Sequence, residues 1–308
     1  MRSPTRTARE YPTAAAYGES AGTIRLSTAG LVSPRVEALR QVDEWPVDRA
    51  AVGVTRSAET IATHGDASAR LPWASVTKLA TALAVLVAAE EGTIELDEPA
   101  GPPGSTIRHL LAHASGLPPE AGPPLAKPGT RRIYSNAGFE ALAAAVAERA
   151  QMNFGEYLRQ SVLDPLRLEA RLRGSPASGI EGTLGGLLAL GHELLAPRLV
   201  AQETLAEATA VAFPGLSGVL PGFGRMEPND WGLGFELRDR KHPHWTGGRN
   251  SPRTFGHFGQ SGSFLWVDPD AGLACACLSA GRFGQWATEA WPKLSDAVLA
   301  EAAPGAGA

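Results

Sequence analysis

Residues 74–91 form a nearly unbroken apolar helical pattern, rich in Ala, Leu and Val and closed by Gly92, which predicts a central helix buried on almost every side. Upstream, Val36, Leu39 and Val42 mark a short amphipathic helix. Two β-like runs at 50–55 and 59–64, separated by a short turn, predict a hairpin. Helical patterns recur at 106–112, 137–150, 154–162 and 186–195, interrupted by Pro- and Gly-rich turns. Strands are then predicted at 231–238, 254–257, 263–267 and 272–279, with a closing helix at 285–300. Strands at both ends with helices between them imply an α/β fold. One sheet would be assembled from N- and C-terminal segments, with a helical lobe over about 105–215 folded across its edge. Residues 1–32, rich in Ser, Thr, Gly, Ala and Arg, are expected to be a flexible leader, 33–302 the folded domain and 303–308 a tail. No internal repeat occurs.

Composition narrows the classes. With 308 residues, 44% of them hydrophobic, the chain can bury a large core. Its 28 Lys+Arg against 32 Asp+Glu leave no basic surplus, so neither nucleic acid nor an anionic membrane surface is an expected partner. The longest apolar run, 79–89, is far short of the roughly 20 residues that a membrane-spanning helix needs. Arg2, Arg6 and Arg9 are not followed by the apolar region of a secretory signal, so a cytoplasmic location is expected. Cys275 and Cys277 would share one face of a strand, badly oriented to bridge, which suggests two buried thiols.

Two site signatures are missing: there is no P-loop and no G-x-G-x-x-G. His242 and His244 form an H-x-H pair in 241–253, a segment crowded with Pro, Gly and Arg, which is expected to be a solvated loop rather than a metal site. No metal or cofactor is expected. What remains is Trp73-Ala74-Ser75-Val76-Thr77-Lys78, where a loop gives way to the central helix. Serine and lysine three apart on a helix project from one face. The positive end of the helix favours an alkoxide at Ser75 and disfavours an ammonium at Lys78, the requirements of a Ser-Lys nucleophile. The same residues would also suit a helix cap and a lysine reaching for water. Only four lysines occur (Lys78, Lys127, Lys241, Lys293), and Lys78 alone has a serine three positions before it.

Two further segments bear on this choice. Tyr134-Ser135-Asn136 is the only Y-x-N in the chain, between a Pro-Gly turn and a helix. Its phenol could exchange a proton with Lys78 or Ser75, and Asn136 could donate to a substrate carbonyl; a packed ring and a helix cap are the structural alternatives. Residues 255–262, Phe-Gly-His-Phe-Gly-Gln-Ser-Gly, hold the only H-x-G. Glycines in a strand imply that something approaches the backbone closely, and a substrate lying along that edge would do so. Lys127-Pro128-Gly129 belongs to a turn.

Together the three motifs, once each and in this order, resemble the serine β-lactamase/penicillin-binding-protein superfamily, specifically its class C β-lactamase, DD-carboxypeptidase and family VIII esterase branch. The resemblance extends through Leu110-Leu111-Ala112-His113-Ala114-Ser115-Gly116-Leu117, 127–136, Asp164-Pro165-Leu166 and Trp231-Gly232-Leu233-Gly234, spanning about 35–302. It implies an antiparallel sheet flanked by helices, with Ser75 as acyl-accepting nucleophile and Lys78 with Tyr134 as the proton-transfer pair. It also implies substrate contacts at Asn136, His257, Gly259 and Gln260, and an oxyanion hole from the amides of Ser75 and Gln260. His257 stands where penicillin-recognising members carry lysine, so the fixed cation for a substrate carboxylate is missing. There is no S-D-N and no E-x-x-x-N. The expectation is a serine hydrolase of small esters or amides acting through an acyl-enzyme, with a small-molecule acyl substrate as its partner. The alternatives are a β-lactamase or D-alanyl-D-alanine carboxypeptidase, and a noncatalytic sensing module.

Overall fold

The computed structural model describes residues 36–57 and 59–303, so the expected leader at 1–32 and the tail beyond 303 lie outside the described residues. A 3-10 helix (Glu37–Glu44) precedes the hairpin β1 (Ala50–Arg56) and β2 (Glu59–Gly65). Short β3 (Leu71–Pro72) leads through a 3-10 turn (Ala74–Val76) into α1 (Thr77–Glu90). Then come α2 (Ile107–Leu111), α3 (Asn136–Ala150), α4 (Phe154–Leu158) with a π-helical turn (Arg159–Leu163), β4 (Ala170–Leu172) and β5 (Ile180–Gly182). After α5 (Leu184–Leu195), α6 (Gln202–Ala208), β6 (Gly218–Leu220) and β7 (Gly224–Met226), the chain closes with β8 (Glu236–Leu237), β9 (Phe255–Phe258), β10 (Phe264–Asp268), β11 (Leu273–Ser279) and α7 (Gln285–Ala302).

The main sheet runs β2-β1-β11-β10-β9-β8, antiparallel throughout, so the first strands of the domain pair with its last ones as the pattern predicts. Alternation along the strands divides the core. Val52, Val54, Phe264, Trp266, Cys275 and Cys277 face α7 and the first 3-10 helix; Ala51, Leu265, Val267, Ala274 and Ala276 face the layer that contains α1 and α5. α5 crosses the sheet closely because Gly191 has no side chain: a Cβ there would stand 3.2 Å from that of Ala274. The two thiols are free and buried on one face, and burial raises both above the ordinary thiol value. α1 is buried from Thr77 to Ala88, and Gly92 (φ +74°) follows its end in a left-handed conformation. Among the described residues no helix is long and apolar enough to cross a membrane.

Several expectations need correction. The lobe is not purely helical: β4 and β5 lie within it and form a three-stranded sheet with β3. Residues 231–238 are not one strand. Only Glu236–Leu237 pairs continuously, because the chain doubles back through Gly234 (φ +88°) with Gly232 N–H donating to Phe235 O. Residues 241–253 are not simply a solvated loop either, since Lys241, His244, Trp245, Thr246 and Asn250 are buried. Lys241, His244 and Trp245 can enter the core because Glu236 accepts from all three, as described below.

Candidate active site

The nucleophile candidate sits on a constrained turn. Trp73 is fully buried and its main-chain N–H donates to Ile180 O at 2.8 Å. Ala74 takes a left-handed conformation at φ +47°, which costs about 1–3 kcal/mol for a residue with a Cβ. That turn presents Ser75 at a cleft while its neighbours anchor α1: Thr77 Oγ1 accepts from Ile180 N at 3.0 Å and Thr81 donates to Pro176 O at 2.7 Å. The same anchoring lays residues 176–180 along α1 and brings the Ala177 carbonyl to Lys78.

Lys78 is completely buried one helical turn after Ser75. Its ammonium donates to Asn136 Oδ1 at 2.7 Å and to Ala177 O at 3.0 Å, and lies 4.7 Å from the centre of the Tyr134 ring. No carboxylate touches it among the described residues. Burial therefore pushes Lys78 down to about 7, against the weaker opposing fields of Glu120 and Glu140. Burial raises the Tyr134 phenol above its ordinary value, against the smaller lowering influence of Ser75 beside it, so it stays protonated.

The strand-like segment carrying Tyr134 is gripped from both sides. His113 accepts Ile133 N–H on its carbonyl at 2.9 Å and Ser135 N–H on Nδ1 at 3.1 Å, with its ring 4.7 Å from that of Tyr134. Arg132 N–H donates to Ser217 O, and the buried Arg132 guanidinium donates to the carbonyls of Ala112, Ala212, Phe213 and Asn229. The motif around His113 was visible in the sequence, but the hold on Tyr134 was not. Arg132 carried no sequence signal. Ser135, rather than Asn136, caps α3 by accepting Gly138 N–H at 2.9 Å. Asn136 is thereby left to its side-chain partners: Oδ1 takes the Lys78 proton and Nδ2 donates to Glu120 Oε1 at 2.8 Å.

His257 projects from β9 into the same cleft. Its Nδ1–H donates to Phe258 O at 2.7 Å, which makes Nε2 the acceptor nitrogen; Nε2 is buried without a partner among the described residues. Burial, aided by the Lys78 charge, lowers His257 to about 3, so the ring is neutral at any physiological pH. The glycines of 255–262 are not required by a substrate. A Cβ on Gly256 would meet Leu265 O at 2.0 Å, one on Gly262 would meet Gly281 O at 2.3 Å, and one on Gly259 would meet Trp73 O at 2.7 Å and Ser75 N at 3.0 Å. Gly259 and Gly262 lie in the β9–β10 turn, and Gly259 lets that turn pack directly on the Ser75 turn. The amides of Ser75 and Gln260 make no hydrogen bond among the described residues.

The cleft has a volume of about 520 Å³ and is lined by Ser75, Tyr134, Asn136, His257 and Gln260 at its polar end and by apolar side chains elsewhere, with Glu120, Arg131 and Arg225 also bordering it. Behind Trp231, which packs on Tyr134, His113 and His257, lies a second buried polar cluster. Lys241 donates to Glu236 Oε1, Asp230 O and Leu237 O, while His244 Nε2–H and Trp245 Nε1–H both donate to Glu236 Oε2. His244 is thus a partner of a carboxylate and His242 is not beside it in that role. Among the described residues no three metal-binding side chains converge.

Comparison with known proteins bears on the family and the fold. The β-lactamase family profile matches residues 45–299. A crystal structure described as a β-lactamase from Mycobacterium bovis is 53% identical, with a TM-score of 0.85 over 86% of this chain and 99% of that one. At 18% and 16% identity, EstCE1, a hydrolase with promiscuous acyltransferase activity, and simvastatin synthase from Aspergillus terreus share the fold. Their TM-scores are 0.69 and 0.73, over 86% and 87% of this chain and 97% and 98% of theirs. No curated protein matches the chain. A profile match across most of the sequence, joined to 53% identity with a solved relative over 86% of the chain, means that the chain belongs to the β-lactamase family, within the serine β-lactamase/penicillin-binding-protein superfamily.

Proposed function

We propose that the protein is a serine hydrolase that cleaves carboxylic esters through a covalent acyl-enzyme on Ser75. The observation that carries this reading is a buried lysine near neutrality, without a carboxylate partner, one turn from a serine that shares its cleft with Tyr134. A neutral Lys78 amine is the base, and the phenol, held protonated, lies on the path of the Ser75 proton. Ser75 Oγ forms a bond to the acyl carbon. The carbonyl oxygen becomes an oxyanion facing the unoccupied amides of Ser75 and Gln260. As the intermediate collapses, the ester C–O bond breaks and the Lys78 ammonium returns its proton to the departing alkoxide. Water then attacks the acyl-enzyme with Lys78 again as base, releasing the acid and restoring Ser75. Asn136 orients both the amine and the substrate carbonyl.

His257 favours esters over penicillin-like substrates. A neutral imidazole offers no charge-assisted bond to a carboxylate, forgoing about 1.5–3 kcal/mol, or roughly 10- to 100-fold in affinity. A second reading, β-lactam hydrolysis, is favoured by the description of the 53% identical relative as a β-lactamase. Steady-state kinetics on p-nitrophenyl acetate and butyrate, nitrocefin and benzylpenicillin separate the two. The expected result is ester turnover that dominates and disappears in Ser75→Ala. Efficient benzylpenicillin hydrolysis at pH 8 would establish the second reading instead, and folded protein that resists a fluorophosphonate probe would rule out both.

A further inference from the structure

Among the described residues only three large apolar side chains stand well exposed, and two of them, Leu125 (60%) and Val219 (57%), line the cleft that holds Ser75. Neither hangs on an unsupported chain. Leu125 N–H donates to Gly116 O at 2.8 Å. Val219 is the middle residue of β6, whose flanking Gly218 and Leu220 are buried, and Gly218 is pressed so closely against Arg132 that a Cβ would stand 2.3 Å from Arg132 O. The pleat of β6 therefore turns Val219 outward while Leu220 enters the cleft wall. Exposed apolar side chains bordering a cleft mark a surface that something apolar covers.

We propose that Leu125 and Val219 form the outer end of an acyl track, so that the preferred substrate carries a straight hydrocarbon acyl chain of medium length. Its carbonyl would sit at Ser75 and its chain would run past Ile133 and Leu220 to the rim. The continuity of these residues with Ser75 in one cleft selects the substrate as the occupant, rather than a second macromolecule. The volume of about 520 Å³ falls among sites that enclose ligands of roughly 300–1,000 Å³, and an acetyl group would leave most of it to water. Of the arginines that border the cleft, Arg132 has its guanidinium consumed by carbonyls and Arg225 pairs with Glu227, while Arg131 is exposed to solvent.

This inference rests on the ester-hydrolase reading, and a chain-length series separates the two. With p-nitrophenyl acetate, butyrate, hexanoate and octanoate, kcat/KM should climb by at least tenfold from acetate to octanoate, within a ceiling of about fourfold per methylene. Val219→Asp and Leu125→Asp, both at exposed positions, should each lower the octanoate-to-acetate ratio by about tenfold with no change in melting temperature. If acetate turnover is abolished by Ser75→Ala yet the series is flat, or the two variants keep the wild-type ratio, the acyl track is refuted while the hydrolase stands. A gain for octyl acetate without one for the octanoate ester would assign the groove to the alcohol side and overturn the proposal. A flat series with a wild-type dimer that Val219→Asp dissociates would assign the patch to a second copy of the chain. If acetate is not hydrolysed in a Ser75-dependent way, the underlying reading falls first.

Discussion

Lys78 and Lys241 are both buried, and both have their ammonium groups held by oxygen acceptors, yet they are housed for opposite ends. Lys78 meets an amide oxygen and a main-chain carbonyl, which solvate a cation poorly, and burial brings it down to about 7. Burial also pushes Lys241 down, but Glu236 in direct contact at 2.5 Å pushes back. The same burial pushes Glu236 up, and Lys241 with His244 more than reverses it, carrying the carboxyl to about 2. The second pair is therefore a locked ion pair that braces the wall behind Trp231. A buried lysine becomes a base when its counter-ion is withheld, not merely when water is.

The sharpest way to break this contrast is to remove each ammonium's function. Ser75→Ala should abolish acylation. Lys78→Ala or Tyr134→Phe should lower kcat on p-nitrophenyl butyrate by about 100-fold or more, with melting temperatures that still report a folded protein. A Lys78→Ala variant with wild-type turnover would remove the lysine from the mechanism. At the other lysine the damage should fall on stability. Glu236→Gln leaves a buried ammonium unpaired and should cost about 3–5 kcal/mol in denaturant unfolding, while activity per folded molecule stays within a few-fold. Equal loss of activity at both sites would erase the distinction.

How much of this arrangement could be read from sequence depends on the distance over which each contact closes. Ser75 and Lys78 are one turn apart, so their shared face follows from helical period. The alternation in 50–55 and 272–279 likewise exposed β1 and β11, with Cys275 and Cys277 on one face. Tyr134 and Asn136 are candidates from their chemistry and their place between a turn and a helix, but only the resemblance to a family joins them and His257 to Ser75 and Lys78, since nothing local says that residue 136 meets residue 78. β4 and β5 have three residues each and α6 has seven, too short for periodicity to separate them from loop. The charged run around Lys241 looked solvated because its compensation, Glu236 to Lys241 and His244, is tertiary. The glycines of 255–262 signalled a close approach correctly, but only the fold reveals that the approaching group is the Ser75 turn and not a substrate.

Removing a neutral partner sharpens the comparison at a smaller scale. Asn136→Ala takes one acceptor from Lys78, and because that lysine can shed its charge, stability should fall by only about 1 kcal/mol. The catalytic loss should be larger, roughly 10- to 100-fold in kcat/KM, because in the proposed mechanism the amide also meets the substrate where charge develops. A large fall in melting temperature with unchanged kinetics would make Asn136 structural.

The smallest expected effect concerns the field on Lys78. The proposed mechanism requires its neutral form, so kcat/KM should rise as pH passes upward through about 7 and level off above. Stability follows the same group with a definite sign. The unfolded chain, with an ordinary lysine at 10.5, binds the proton across the window from about 7 to 10.5 while the folded state does not, so this group's penalty is full below about 7 and fades as pH rises. The Glu120 carboxylate holds Lys78 slightly higher than burial alone would, as does Glu140. Glu120 is exposed at the cleft and bonded to Asn136 Nδ2, so Glu120→Gln keeps that bond while deleting the charge. The acid limb of the pH profile should therefore move to lower pH in Glu120→Gln, and wild-type protein in high salt should move in the same direction as the exposed charge is screened. A limb that stays fixed under both treatments would mean that the titrating base is not Lys78.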